Sequence, residues 1–210
     1  MIVLLRHGRT EANARGLLLG RADPELDDVG RGQAQAAAEV VAATASVSRI
    51  VSSPLARCRA TADVVAGVLG ADGPVDVEID ERWIELDYGE LDGTPLSEVP
   101  PAAWSAWHGD VDWAPPGGES HATLGKRVRA ACDELAAAPA GSGDVLVVSH
   151  VSPIKAAVAW ALGVGDEVAW RMWVGPASIS RIGVADAVPS LRSFNEIGHL
   201  ASPAARRVGP

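Results

Sequence analysis

The sequence predicts an α/β fold: a three-layer αβα sandwich with a mainly parallel sheet and a small inserted cap. Three observations lead there. Short apolar runs alternate with longer helix-like segments, the pattern of strand–helix–strand units. The runs Ile2-Val3-Leu4-Leu5 and Val145-Leu146-Val147-Val148 are apolar throughout, as strands covered on both faces are. A region rich in Pro, Gly and Trp, at about 86–118, interrupts the alternation.

Each element has its own signal. Ile2–Leu5 forms the first strand, and polar residues and glycines follow from Arg6 to Gly20. Gly30–Thr44 is alanine-rich, with Gln33, Gln35 and Glu39 interspersed, and reads as a helix. Arg49–Ser52 is the second strand. Pro54 suits the first turn of the next helix, where its missing N–H costs nothing, and that helix stops near Gly70. Val75–Ile79 alternates apolar with acidic residues, which predicts an edge or half-exposed strand. Glu119–Ala138 is a long helix, Asp144–Ser149 the clearest buried strand, and Pro153–Leu162 a further helix. Ala177–Val184 and Leu191–Phe194 complete the strands, and residues 202–210 read as a loose tail. The whole, 1–210, is expected to be one domain.

Composition narrows the function classes. The 210 residues are 48% hydrophobic and 21% charged, ordinary for a folded chain. A net charge of -9 argues against nucleic acid and anionic membranes as partners. Any phosphate site must therefore be a local basic pocket. Cys58 and Cys132 lack metal-site spacing and are expected to be buried, reduced thiols. With no leader-like start and no apolar stretch near ~18 residues, a cytoplasmic protein is expected.

In a parallel sheet, sites form beyond the carboxyl ends of the strands. Arg6-His7 and Ser149-His150 stand at two such ends, so both histidines emerge from one sheet edge. An arginine at a buried strand end needs an anionic partner. Gly8 permits unusual backbone or close approach by a ligand, and Thr10 and Asn13 add hydrogen-bonding groups. Arg57 lies one turn into the helix opened by Ser52-Ser53-Pro54-Leu55, where it and the helix N-terminus could meet one anion. Arg59 reads as a solvated competitor. The chemistry that fits is attack by unprotonated His7 on phosphorus, with Arg6, Arg57 and His150 on the equatorial oxygens. Glu85 is the candidate proton donor, and the same group would then activate water.

These residues resemble the histidine phosphatase superfamily, the phosphoglycerate mutase-like group, on its phosphatase branch. Leu4-Leu5-Arg6-His7-Gly8-Arg9-Thr10-Glu11-Ala12-Asn13 is similar to its signature, and Ser52 to Ala62 to its second motif. Glu85 with Gly89 and Gly93, and Val147-Val148-Ser149-His150, resemble the third and fourth, and Asn195 with His199-Leu200 its common ending. The resemblance implies a phosphohistidine on His7, phosphate ligands Arg6, Arg57 and His150 assisted by Asn13, and Glu85 as acid and base. It implies no metal and no dissociable cofactor. A homodimer is compatible with it. Gly20-Arg21 lies where relatives approach substrate. Two departures stand out: Val151-Ser152-Pro153 follows His150 in place of glycine, and Leu91-Asp92 replaces a common Trp. Glu81 and Glu90 are weaker rivals for the acid.

A mutase must hold a second anionic group, yet Glu85 to Gly118 contains no Lys and no Arg. Hydrolysis of a small phosphate ester is therefore the expected reaction, with a phosphoglycerate mutase as the first alternative and a non-catalytic regulatory domain as the second. Trp104, Trp107 and Trp113 would either line a leaving-group pocket or form a small core that holds the cap together. The string Trp113 to Ser120 resembles phosphatase members of the superfamily. Trp170 and Trp173, three apart on a predicted helix, read as core. His108 and His121 read as surface residues or local hydrogen-bonders.

Overall fold

The computed structural model describes residues 1–70, 75–139, 141–186 and 188–200, so the expected tail lies outside the described residues. Its strands are β1 (Ile2–Arg6), β2 (Val47–Ser52), β3 (Val77–Ile79), β4 (Asp144–Ser149), β5 (Ile179–Ala185) and β6 (Val188–Glu196). They form one sheet in the order β3-β2-β4-β1-β5-β6. The first four are parallel, and β5 and β6 extend the sheet antiparallel. The alternating segment around Val77 is indeed an edge strand.

Side-chain alternation along β1 builds the layers. Val3 and Leu5 point to one face and Ile2 and Leu4 to the other. On the first face lie α2 (Asp28–Thr44) and α3 (Ala56–Leu69), where Ala37, Ala38, Val41, Cys58 and Ala62 meet Val3, Leu5, Leu146 and Val148. On the second lie α5 (His121–Ala136) and α6 (Val151–Leu162), where Leu124, Val128, Cys132, Ile154 and Ala157 meet Ile2, Leu4 and Val147. Both cysteines are buried and free, in different clusters on opposite faces. Each strand side chain contributes about 1.5–3 kcal/mol by leaving water. Truncating Leu4 to Ala would cost about 2–5 kcal/mol, because nothing can collapse into the gap.

Helix boundaries follow side chains more than composition. α2 starts at Asp28, two residues before the expected Gly30, because the Asp27 side chain caps it, accepting from Gly30 N at 2.7 Å. α3 starts at Ala56, whose N–H donates to Asp23 at 2.7 Å, so Pro54 precedes the helix and does not lie in its first turn. α1 (Glu11–Ala14) is a single turn closed by a capping box between Thr10 and Asn13.

The cap carries α4 (Pro101–Gly109) and a core of its own. Trp107 is fully buried, and Trp104, Trp113, Trp170 and Tyr88 pack around it with ring centroids 5.3–6.2 Å apart. Gly89 (φ +53) closes the cap's stem: a Cβ there would meet Pro116 O at 2.1 Å. Trp170 joins this aromatic core from a 3₁₀ turn, Asp166–Arg171. Trp173 corrects the expectation of core packing. It falls after that turn and is 59% exposed. Among the described residues, no helix is long and apolar enough to cross a membrane.

Candidate active site

Register delivers the two histidines. β1 and β4 pair in parallel with Arg6 opposite Ser149, so His7 and His150 leave the sheet side by side. His7 N donates to Ser149 O at 3.0 Å, and the two rings meet edge to face with centroids 5.1 Å apart. His7 Nδ1 lies 2.7 Å from Gly8 O. A carbonyl only accepts, so Nδ1 carries the proton and Nε2 bears the lone pair. Burial, then the charges of Arg57 and Arg6, hold the His7 pKa well below the ordinary imidazole value. The same causes, burial first, depress His150. His150 Nε2 lies 2.7 Å from Ser53 Oγ. That oxygen also accepts from Leu55 N at 3.4 Å, and Cys58 Sγ lies 3.3 Å from the same ring nitrogen.

Arg6 and Arg57 are buried, and among the described residues neither has a hydrogen-bonded carboxylate. Arg6 Nη1 donates to Val174 O at 2.7 Å. Arg57 donates to Ala22 O and Gly20 O, both at 2.7 Å, and its nearest carboxylate, Asp23, is 3.9 Å away. Among the described residues, both Nε atoms have no hydrogen-bond partner. Burial lowers the Arg6 pKa to about 10, offset in part by Glu85. Two neighbouring cations with unused donors make a pocket suited to an oxyanion.

Backbone turns hold both guanidiniums. Arg6 N donates to Ser178 O and Ala177 N to His7 O. Ala177 sits at φ 53, and its turn is braced by Asn195 Oδ1, accepting from Gly175 N at 2.8 Å, and by His199 Nε2, donating to Ala177 O at 3.0 Å. On the other side, Gly20 N and Ala22 N each donate to Asp92 at 2.8 Å. Asp92 thus shapes the loop whose carbonyls grip Arg57, a physical use for the Leu91-Asp92 departure.

Glu85 is buried, with exposed Glu81 and Glu90 nearby on the chain. Its Oε1 accepts from Leu86 N at 2.7 Å and Ser152 N at 3.2 Å, and its Oε2 from Val151 N at 3.1 Å. The carboxylate therefore caps α6. These are backbone donors, so Val151 and Ser152 serve where relatives carry glycine. Pro153 is tolerated at the next position, since its N–H is not needed. Glu85 O accepts from Arg21 Nε at 2.9 Å and Arg127 Nη2 at 3.3 Å.

The remaining expected residues fall nearby in different settings. Asn13 Oδ1 accepts from Thr10 N and Thr10 Oγ1, each at 3.1 Å, which leaves its NH₂ donors unspent. Thr10 is fully buried as a cap. Gly8 is required by the fold: a Cβ there would meet Gly30 O at 2.3 Å, so helix α2 is what approaches it. Arg59 is exposed. His108 lies exposed against Trp170, but His121 is 6% exposed, a correction to the surface expectation. It packs on Trp170 at 5.0 Å, and burial brings its pKa down to about 4. Among the described residues, no group of three or more His, Cys, Asp or Glu could hold a metal ion. Sequence reasoning missed Ser53 and Asp92. Both stood in quoted motifs, but their work depends on contacts across loops.

The model of the histidine phosphatase superfamily (branch 1) matches residues 2–197. A protein described as bifunctional, from Mycobacterium tuberculosis, is 37% identical over 95% of this chain. The chain spans 54% of that relative's length, about half. A mycobacterial glucosyl-3-phosphoglycerate phosphatase complexed with VO3 superposes with a TM-score of 0.83 at 32% identity, covering 92% of this chain and 98% of that one. A phosphoserine phosphatase from Entamoeba histolytica, in complex with 3-phosphoglyceric acid, gives 0.84 at 26% identity, covering 95% and 98%. The chain belongs to branch 1 of the histidine phosphatase superfamily.

Proposed function

We propose that this chain is a phosphomonoesterase that hydrolyses a small phosphorylated metabolite through a phosphohistidine on His7. One observation carries the reading: His7 keeps an Nε2 lone pair beside two buried arginines, whose charges it feels and whose Nε–H groups have no acceptor among the described residues. The relatives add support, since their names and ligands are phosphate esters or VO3.

The steps follow from the donors. His7 Nε2 attacks phosphorus in line, and the P–O bond to the alcohol breaks as the N–P bond forms. Gly8 O, accepting from Nδ1, steadies the positive charge that develops on the ring. Arg6, Arg57, His150 and the Asn13 NH₂ group receive the charge on the equatorial oxygens. Glu85 gives the leaving oxygen its proton. It then takes one from water, which attacks phosphorus, breaks the N–P bond and frees phosphate. Gly8, Thr10 and Gly20 act through backbone and cap contacts, and Arg21 through the Glu85 carbonyl.

Water is the favoured acceptor because the cap supplies no Lys or Arg to retain a second phosphoester. We place the reaction in the cytoplasm, where the two free thiols would stay reduced. The test is hydrolysis of a panel of phosphorylated metabolites in the presence of chelator. Release of phosphate by the native protein, abolished in His7→Ala, is expected. Robust interconversion of 2- and 3-phosphoglycerate primed by the bisphosphate would overturn hydrolysis as the main reaction.

A further inference from the structure

Asp92 stands in the stem of the cap, half-buried, and its two oxygens take separate donors. Gly20 N donates to Oδ1 and Ala22 N to Oδ2, both at 2.8 Å. The carbonyls of the same two residues accept from Arg57 Nη2 and Nη1, both at 2.7 Å. Among the described residues, the carboxylate within ion-pairing reach of Arg57 is that of Asp23, at 3.9 Å. Asp92 therefore reaches Arg57 through the backbone of residues 20–22 and not by a contact of its own.

That short loop is held at several points. Before it, Leu18 N donates to Thr94 O at 2.8 Å and Leu18 O accepts from Gly93 N at 2.7 Å, which ties the chain to the cap next to Asp92. Leu18 itself is buried in the cap's core beside Trp107 and Val99. A Cβ on Gly20 would meet Leu86 O at 2.7 Å, so the loop already lies against the segment that follows Glu85. After it, Asp23 accepts from Ala56 N at 2.7 Å, on the helix that carries Arg57. Two fixed carbonyls fix the plane of a guanidinium. The Arg57 Nε–H has no partner among the described residues, so that plane decides where its free donor points. Burial works against the Arg57 charge, and Asp92 is among the groups that favour it.

We propose that Asp92 is a positioning residue for phosphate binding: it holds the 20–22 loop so that the Gly20 and Ala22 carbonyls orient Arg57 toward the phosphoryl group. The sign of its effect sets this apart from a plain charge effect. A carboxylate repels an anion, so by charge alone the loss of Asp92 would tighten phosphate. By positioning, the loss weakens phosphate, and weakens it only while Arg57 is there to be misplaced. This inference rests on the phosphomonoesterase reading for the identity of the anion.

A double-mutant cycle on the binding of inorganic phosphate, read by phosphorus NMR titration, tests this without turnover. Asp92→Asn keeps the size but replaces one acceptor by a donor, and it should weaken phosphate about tenfold in the native background. In the Arg57→Ala protein the same substitution should change affinity by less than about twofold. In the Arg6→Ala protein the full weakening should persist, which shows that the loss in the Arg57→Ala background is specific to Arg57. Tighter or unchanged binding by Asp92→Asn overturns the inference. So does a weakening that persists in Arg57→Ala, since Asp92 would then act on the pocket at large, or one that vanishes in both backgrounds. If Asp92→Asn fails to fold, Asp92→Ser, too short to reach either N–H, is read against the same criteria. If the native protein binds phosphate but hydrolyses no ester, the phosphatase reading falls, while the cycle still decides Asp92.

Discussion

Four arginines flank the candidate site, and they divide by side. On the His7 side, among the described residues, Arg6 and Arg57 are hydrogen-bonded to backbone carbonyls alone, with no carboxylate closer than 3.9 Å to Arg57. On the Glu85 side, Arg127 meets both oxygens of Glu119 at 2.9 Å, and Arg21 shares that carboxylate at 3.4 Å. The first pair keeps a charge and an unused donor on each residue. The second pair shares one carboxylate, which offsets one of its two charges, and each member also donates to the carbonyl of Glu85. Burial alone therefore does not mark a ligand-binding arginine. Burial with no hydrogen-bonded carboxylate makes the stronger candidate.

The sharpest way to break this contrast is to swap each guanidinium for an ammonium. Arg57→Lys leaves one compact group to serve Gly20 O, Ala22 O and the anion together. It should lower kcat/KM by about 10²–10³ and weaken inhibition by inorganic phosphate. Arg127→Lys should loosen the Glu85 loop with much less effect on phosphate. If both variants weaken phosphate equally, the division by side is wrong.

The acid role of Glu85 is the next test. Glu85→Gln can still accept hydrogen bonds but holds no transferable proton. Activity on an alkyl phosphate should fall about 10², and far less on p-nitrophenyl phosphate, whose leaving group needs little protonation. Equal losses on the two esters would remove Glu85 from proton transfer.

A smaller effect sharpens the contrast through pH. Burial holds His7, His150 and His121 below the ordinary imidazole value of 6.5. Below pH 6.5 the unfolded chain binds protons that the folded chain refuses, so stability is complete above that value and falls as pH falls. Each buried histidine contributes about 1.4 kcal/mol per pH unit to that slope. For His121 the loss runs from 6.5 down to about 4. Denaturant unfolding of His121→Phe should show a shallower decline across that window; an unaltered slope would contradict the burial account.

The two sides also differ in how far the sequence discloses them. His7 and His150 follow apolar strands, and a parallel sheet forces such strand ends together. That part needed only periodicity and motif order. Glu85, in an irregular loop, rested on spacing, and its buried position is set by backbone N–H groups of α6 that carry no residue code. Asp92 reads as a departure until its two bonds to the 20–22 loop are visible. The cap was the least legible. Its tryptophans fit a pocket or a core equally, and packing around Trp107 makes them a core. Trp173 failed because the chain leaves its 3₁₀ turn before that residue, and spacing carries no meaning where the helix ends.

The central claim is a covalent intermediate on His7 Nε2, and rapid acid-free quenching of the protein with a phosphorylated substrate tests it directly. Peptide mapping should find one phosphoryl group on the segment carrying His7, stable to alkali, lost in acid, and absent from His7→Ala. Turnover at the native rate with no such phosphopeptide, or by the His7→Ala protein, would contradict it.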